Sequence, residues 1–235
     1  IAAGRRLSSP GIALLQSPLP IFRCPSDTFP ALLPHEISGV LAYYPEVYSG
    51  SPRHFDSVNS PPGFEPSTSN YMAVKGLYDN HWCDTGIDVC LNNGVMFSES
   101  NIGFKHITDG SSNTFLLGER HGRCLAGSWI GCRNPQGPEM GGSYYVLGRA
   151  TIKLNHPTTG AHNTCTEGFS SEHVGGAFFT MADSAVRFVS EGISFNNGGI
   201  PDRHYNNSNP DSYVPGQLGV YQRLAIRNDG MPSDE

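Results

Sequence analysis

The stretch AFFTMADSAVRFV at residues 177–189 decides the fold. Two apolar arms of strand length flank Ala182-Asp183-Ser184, and a short polar break between such arms predicts a β-hairpin. In the second arm Val186 and Phe188 alternate with Arg187, the period-two pattern of a half-buried antiparallel strand. One face, with Val186 and Phe188, is expected to meet a core and the other to meet water. Asp183-Ser184 keeps half of the Asp-Gly pair that most favours a tight hairpin turn.

Working outward, short apolar stretches of strand length recur at 71–74, 95–97, 115–118, 128–130 and 144–147, each bounded by Gly, Asn or Asp. Residues 49–70, SGSPRHFDSVNSPPGFEPSTSN, carry no apolar periodicity and read as a long surface loop, as do residues 196–216 with NNGG and NNSNP. At the N-terminus a small apolar patch at 12–15 lies among Pro10, Pro18 and Pro20, so 1–20 is a lead-in with at most a short helix. Near the other end Leu218, Tyr221, Leu224 and Ala225 fall at helical spacing, and Asn228-Asp229-Gly230 would stop a short C-terminal helix. The expected class is α+β, mostly antiparallel β, in a single domain over residues 1–235.

Composition narrows the function. Charged residues are 15% of the chain, against about 25% in a typical domain, while Gly and Pro make up about a fifth. With 15 basic and 21 acidic side chains the net charge is -6, which gives no basic footprint for a phosphate backbone, so no nucleic-acid partner is expected. The longest apolar run is five residues, at 40–44, where a membrane span needs about 20. Membrane attachment would come only through an N-terminal helix that these 235 residues do not contain.

Six cysteines, at 24, 83, 90, 124, 132 and 165, include no Cys-x-x-Cys pair, which argues against a zinc ribbon or a thioredoxin-type site. Disulfides and an oxidising, extracytoplasmic compartment fit better; six buried thiols in a reducing cytosol are the alternative. Spacing suggests local staples at Cys83 with Cys90 and at Cys124 with Cys132, leaving Cys24 with Cys165 by elimination, one of 15 possible connectivities.

Six blocks carry a family resemblance: 22–27 FRCPSD, 69–71 SNY, 93–97 NGVMF, 107–114 ITDGSSNT, 118–120 GER and 169–173 FSSEH. In this order they resemble the planctomycete prepilin-like family called domain of unknown function 1559. That family closes its sheet with a His, nine residues, and Asp-Gly; here His173 is followed after nine residues by Asp183-Ser184, with serine for glycine. The tail at 220–228, VYQRLAIRN, is also similar, so the likeness runs from about residue 19 to the end. Members typically begin with a type IV pilin leader and a hydrophobic helix, so this sequence resembles their globular head alone. The resemblance implies a pseudopilin-like head that assembles with itself or with other pilin-like envelope proteins. It marks His173, Asp183, Ser184, Asp109, Asn113 and Glu119 as motif residues.

Each chemical motif has a structural counterpart. His173 and Asp183 would form a dyad, with the carboxylate fixing the imidazole tautomer, or would order the turn, with His173 tying 175–176 to the hairpin. Asp109-Gly110-Ser111-Ser112-Asn113 begins like a calcium loop but has Thr114 and Arg120 where Gly and Glu are required, which leaves a tight turn held by Asp109 and Asn113. Asp84, Asp88, Asn92 and Asn93 surround the 83–90 loop and offer oxygens to one Ca²⁺, as in the head-domain calcium loops of pseudopilins, or form polar loop surface. Trp82 and Trp129, with Tyr144 and Tyr145, offer an aromatic platform for a glycan or a subunit, or pack in the core. The nine histidines include no i, i+4 pair, and no nucleophile elbow, zinc-protease helix, phosphate loop or dinucleotide turn occurs. The expectation is a non-enzymatic, extracytoplasmic structural protein without an organic cofactor. The alternative is a secreted glycan- or solute-binding module, and a hydrolase built on His173 and Asp183 stands behind both.

Overall fold

A computed structural model describes residues 9–32, 65–78, 92–97, 100–124, 126–131, 146–157, 165–200 and 215–230. These contain five strands, β1 (Tyr71–Gly76), β2 (Phe115–Glu119), β3 (Leu147–Arg149), β4 (Gly176–Met181) and β5 (Val186–Ser190), and two short helices, α1 (Ser9–Leu15) and α2 (Val220–Leu224). The sheet runs in the order β3-β1-β2-β4-β5. The β1/β2, β2/β4 and β4/β5 pairs are antiparallel and β1/β3 is parallel, which makes the protein α+β with a mostly antiparallel sheet.

The 177–189 hairpin forms, with Phe178 opposite Phe188 and Ala177 opposite Val189. At its turn the Asp183 carboxylate accepts the Ala185 N–H at 2.9 Å, and Ser184 takes a left-handed φ of 73°, the position that glycine fills in an Asp-Gly turn. The direction of the faces differs from the sequence expectation. Ala177, Phe179, Met181 and Val189 are buried, whereas Val186 and Phe188 are 65% and 48% exposed. They share the outer face with Phe178, because residues opposite one another in a ladder point the same way. Alternation identified two faces, but both are apolar here, so it did not identify the inner one.

A bulge decides what β2 presents. Phe115 pairs with Met181 and Leu117 with Thr180, so Leu116 is the extra residue. Phe115 faces the core and Leu116 packs instead against a small cluster of Val95, Ile107 and Ala182. Past the bulge the parity is reversed: Gly118 points inward opposite Phe179, and Leu117 and Glu119 point outward.

On the inner face Phe169 lies over two glycines. A Cβ on Gly118 or Gly148 would come within 2.5 Å of its ring, so both positions must be bare for the ring to reach the sheet. Phe179 stacks on Phe115 at 4.2 Å between ring centres, and Tyr221 of α2 meets both rings edge-on at 6.1 Å. Gln222 fastens the helix to the sheet by donating from Nε2 to the Ala150 carbonyl at 2.7 Å. Beside this core, buried Arg149 donates from Nε to Glu167 Oε2 at 3.0 Å, satisfying both charges.

The other expectations divide. Residues 71–74 and 115–118 become β1 and β2, and the expected terminal helix is α2. Residues 95–97 form no strand and 128–130 only isolated bridges; of the stretch at 144–147, residues 144–145 lie outside the described residues and Leu147 opens β3. Short apolar stretches satisfy the strand pattern without needing a ladder partner. At the end of the 49–70 segment Ser67, Thr68, Ser69 and Asn70 are buried, not surface loop. Residues 49–64 and 201–214 lie outside the described residues.

Candidate functional site

Four of the six sequence blocks converge at one corner of the sheet, where the 24–27 loop crosses the end of β2. The loop is fixed by buried polar contacts. The Cys24 N–H donates to Asn70 Oδ1 at 2.9 Å, and Asn70 Nδ2 donates to the Asp27 carboxylate and to the Arg120 carbonyl, the latter at 3.0 Å. Asp27 also accepts the N–H of Phe29 at 3.0 Å and of Gly122 at 3.1 Å. Arg120, fully buried, donates to the carbonyls of Gly168 at 2.9 Å and Leu147 at 3.1 Å. These bonds satisfy groups that would otherwise be costly to bury, and they set the positions of Cys24 and Glu119.

Cys24, Glu119 and His173 meet there. His173 Nε2 lies 3.4 Å from Cys24 Sγ and 3.5 Å from Glu119 Oε1, and its Nδ1 lies 3.3 Å from Ser26 Oγ. The Phe178 ring stands edge-on to the imidazole at 5.0 Å. The other Glu119 oxygen, Oε2, accepts the Phe178 N–H at 2.7 Å, which leaves Oε1 turned to the cluster. Cys24 and Glu119 are buried and His173 is partly exposed. The group opens onto a cleft of about 400 Å³ on the outer face, lined by Tyr71, Leu117, Phe178 and Val186. Burial, reinforced by the nearby Glu119 carboxylate, pushes the Cys24 thiol above its ordinary value.

This is not the geometry of an activated nucleophile. A catalytic Cys-His pair lowers the thiol pKa, and its orienting carboxylate sits on the imidazole nitrogen opposite the nucleophile. Here the thiol is raised, and thiol and carboxylate share Nε2. Nor does His173 form a dyad with Asp183. The two lie at opposite ends of β4, whose six residues at ~3.3 Å each separate them by about 20 Å. Asp183 serves its turn, and His173 ties the chain before β4 to the 24–26 loop.

The cysteines require a correction. Cys124 is bonded to Cys165, 41 residues away, with 5.2 Å between Cα atoms, instead of to Cys132, and Cys24 is a buried free thiol instead of Cys165's partner. Spacing favoured the local loop, but the fold brings 165 beside 124. Cys83, Cys90 and Cys132 lie outside the described residues, as do Trp82, Tyr144, Tyr145, Asp84 and Asp88. Of the remaining calcium candidates, Asn93 Oδ1 accepts the Leu77 N–H at 3.0 Å and Asn92 is buried. Asp109 is a turn residue, although its partners are remote: its carboxylate accepts the N–H of Asp229 at 2.7 Å and of Gly230 at 3.0 Å. Asn113 Nδ2 donates to the Asp109 carbonyl at 3.4 Å. Trp129 stacks on Phe22 at 6.0 Å and does not line the cleft.

Sequence reasoning missed Cys24 as a site residue because it was assigned to a disulfide, and it missed the meeting of Cys24, Glu119 and His173 altogether. Three of the blocks held one residue each of the cluster, but nothing along the chain said that they meet.

No curated protein and no solved structure matches the chain. A family model does, over residues 3–196, a span that includes all six blocks and both His173 and Asp183 but not the tail at 220–228. That match covers most of the chain, which belongs to the family described as "Protein of unknown function (DUF1559)".

Proposed function

We propose that this chain is the globular head of an extracytoplasmic structural protein, resembling a type IV pilin or pseudopilin head. It works by burying the outer face of its sheet against another copy of itself or another pilin-like envelope protein. The observation that carries the reading is that face. Phe178, Val186 and Phe188 are 37%, 65% and 48% exposed beside Leu117 and Tyr71, and Val174 next to the cluster is 98% exposed. Contiguous apolar surface of this kind marks an interaction site. The Cys124–Cys165 bridge supports an oxidising compartment.

Sedimentation velocity over a range of concentrations, with and without envelope fractions, tests this reading. The wild type is expected to self-associate or to pellet with an envelope component, and a Phe178→Ser/Phe188→Ser protein to do neither. A wild type that stays monomeric at high concentration and binds no envelope component overturns it. A secreted binding module is the second reading, favoured by the cleft of about 400 Å³, a size that suits a small ligand. Its aromatic lining comes from Tyr71 and Phe178, not from the tryptophans.

A further inference from the structure

We propose that Cys24, His173 and Glu119 form a Zn²⁺ site of the open, three-ligand kind, with its fourth position facing the outer cleft. Among the described residues, these three supply a sulfur, an imidazole nitrogen and a carboxylate oxygen all within 4.8 Å of one another. The two separations from His173 Nε2 fit one ion, and the third pair lies within 4.8 Å. Zinc bonds of ~2.3 Å to sulfur and ~2.0 Å to nitrogen or oxygen, at tetrahedral angles, place S and N about 3.5 Å apart and N and O about 3.3 Å apart. The observed values are 3.4 Å and 3.5 Å.

Each donor is also oriented from behind. Ser26 Oγ at 3.3 Å can accept the Nδ1 proton of His173, which directs the Nε2 lone pair to the cluster, and the Phe178 N–H holds the far oxygen of Glu119. Outer partners of this type fix tautomer and rotamer in metal sites. Asn70 anchors the Cys24 backbone. A thiolate with an imidazole favours zinc over calcium or magnesium, which take oxygen ligands. On binding, the Cys24 S–H proton leaves to bulk water and the thiolate takes the coordination bond. The fourth ligand is water, or a donor brought by whatever covers the cleft. This assignment does not depend on the assembly reading.

Cobalt(II) is the probe. The full chain, stripped with chelator and with Cys24 reduced, is titrated with Co²⁺ and followed by absorption. One equivalent is expected to raise a thiolate-to-cobalt charge-transfer band with intense visible bands of tetrahedral cobalt, and Zn²⁺ to displace it. Cys24→Ser should lose the charge-transfer band, while Cys83→Ser, Cys90→Ser and Cys132→Ser should keep it. His173→Gln alters a partly exposed side chain, so it tests the site even if the Cys24 variant does not fold; it should weaken cobalt binding by about 100-fold or more. Ser26→Ala should weaken it by about 10- to 100-fold, the usual cost of losing an outer partner. The absence of a charge-transfer band in folded, reduced wild type, or an unchanged band in Cys24→Ser or His173→Gln, would overturn the assignment.

Discussion

The two faces of the sheet are built from the same strands and are both apolar, yet among the described residues only one is closed over. The inner face is closed by Phe169 over Gly118 and Gly148 and by Tyr221 against Phe115 and Phe179, with all of these residues buried. The outer face carries Phe178, Val186 and Phe188 in the open and has Cys24, Glu119 and His173 at its edge. The difference teaches where selection for stability ends. Residues inside answer to packing density, and one methylene is felt there. Apolar side chains that pack only on one another and stay partly in water contribute less to folding, so their presence calls for an external surface to cover them.

The largest expected effect lies on the closed face. Phe169→Ala should cost about 3–5 kcal/mol in urea unfolding, since the ring fills the space that two glycines leave for it. A loss below ~1 kcal/mol would mean that the inner face is not the core. Next is Gly118→Val, which forces a side chain into the rings of Phe169 and Phe179 and should cost about 1–3 kcal/mol by overpacking, read the same way. On the open face the same class of change should be mild for folding. Phe188→Ser should lower stability by about 1 kcal/mol, because about half of that residue is already in water, and Phe178→Ser by about 1–2 kcal/mol, while association is lost in both. A cost comparable to Phe169→Ala would erase the distinction between the faces. The smallest effect is expected at the turn that joins them. Ser184→Gly removes a left-handed strain at φ 73° and should raise stability by roughly 0.5 kcal/mol, the gain being trimmed by the greater freedom of glycine when unfolded. A thermal scan at high precision reads it, and a lower midpoint would contradict it.

The sequence revealed the elements better than their faces. The 177–189 hairpin, the strands at 71 and 115 and the terminal helix were legible because period two and period 3.6 are local properties. Which side of β5 points inward was not legible, since Val186-Arg187-Phe188-Val189 supports either register when both faces are apolar. The bulge at Leu116 was likewise invisible, and it is what turns Glu119 outward. The candidate site was visible only as fragments. His173 and Glu119 stood in family blocks, but Cys24 was assigned to Cys165 by elimination, and the true bridge spans 41 residues. Ring closure over such a span costs little more entropy than a short loop, so proximity in sequence is a weak guide to pairing.

The claim that the outer face is completed from outside is tested most directly by crosslinking in the native envelope. A photoreactive residue is placed at position 188, on that face, and in a second protein at position 187, which faces the other way on the same strand. The account predicts that the probe at 188 captures a second copy of this chain or a pilin-like envelope protein, and that the probe at 187 does not. Equal yields from both positions, or no protein crosslink from 188, would contradict it.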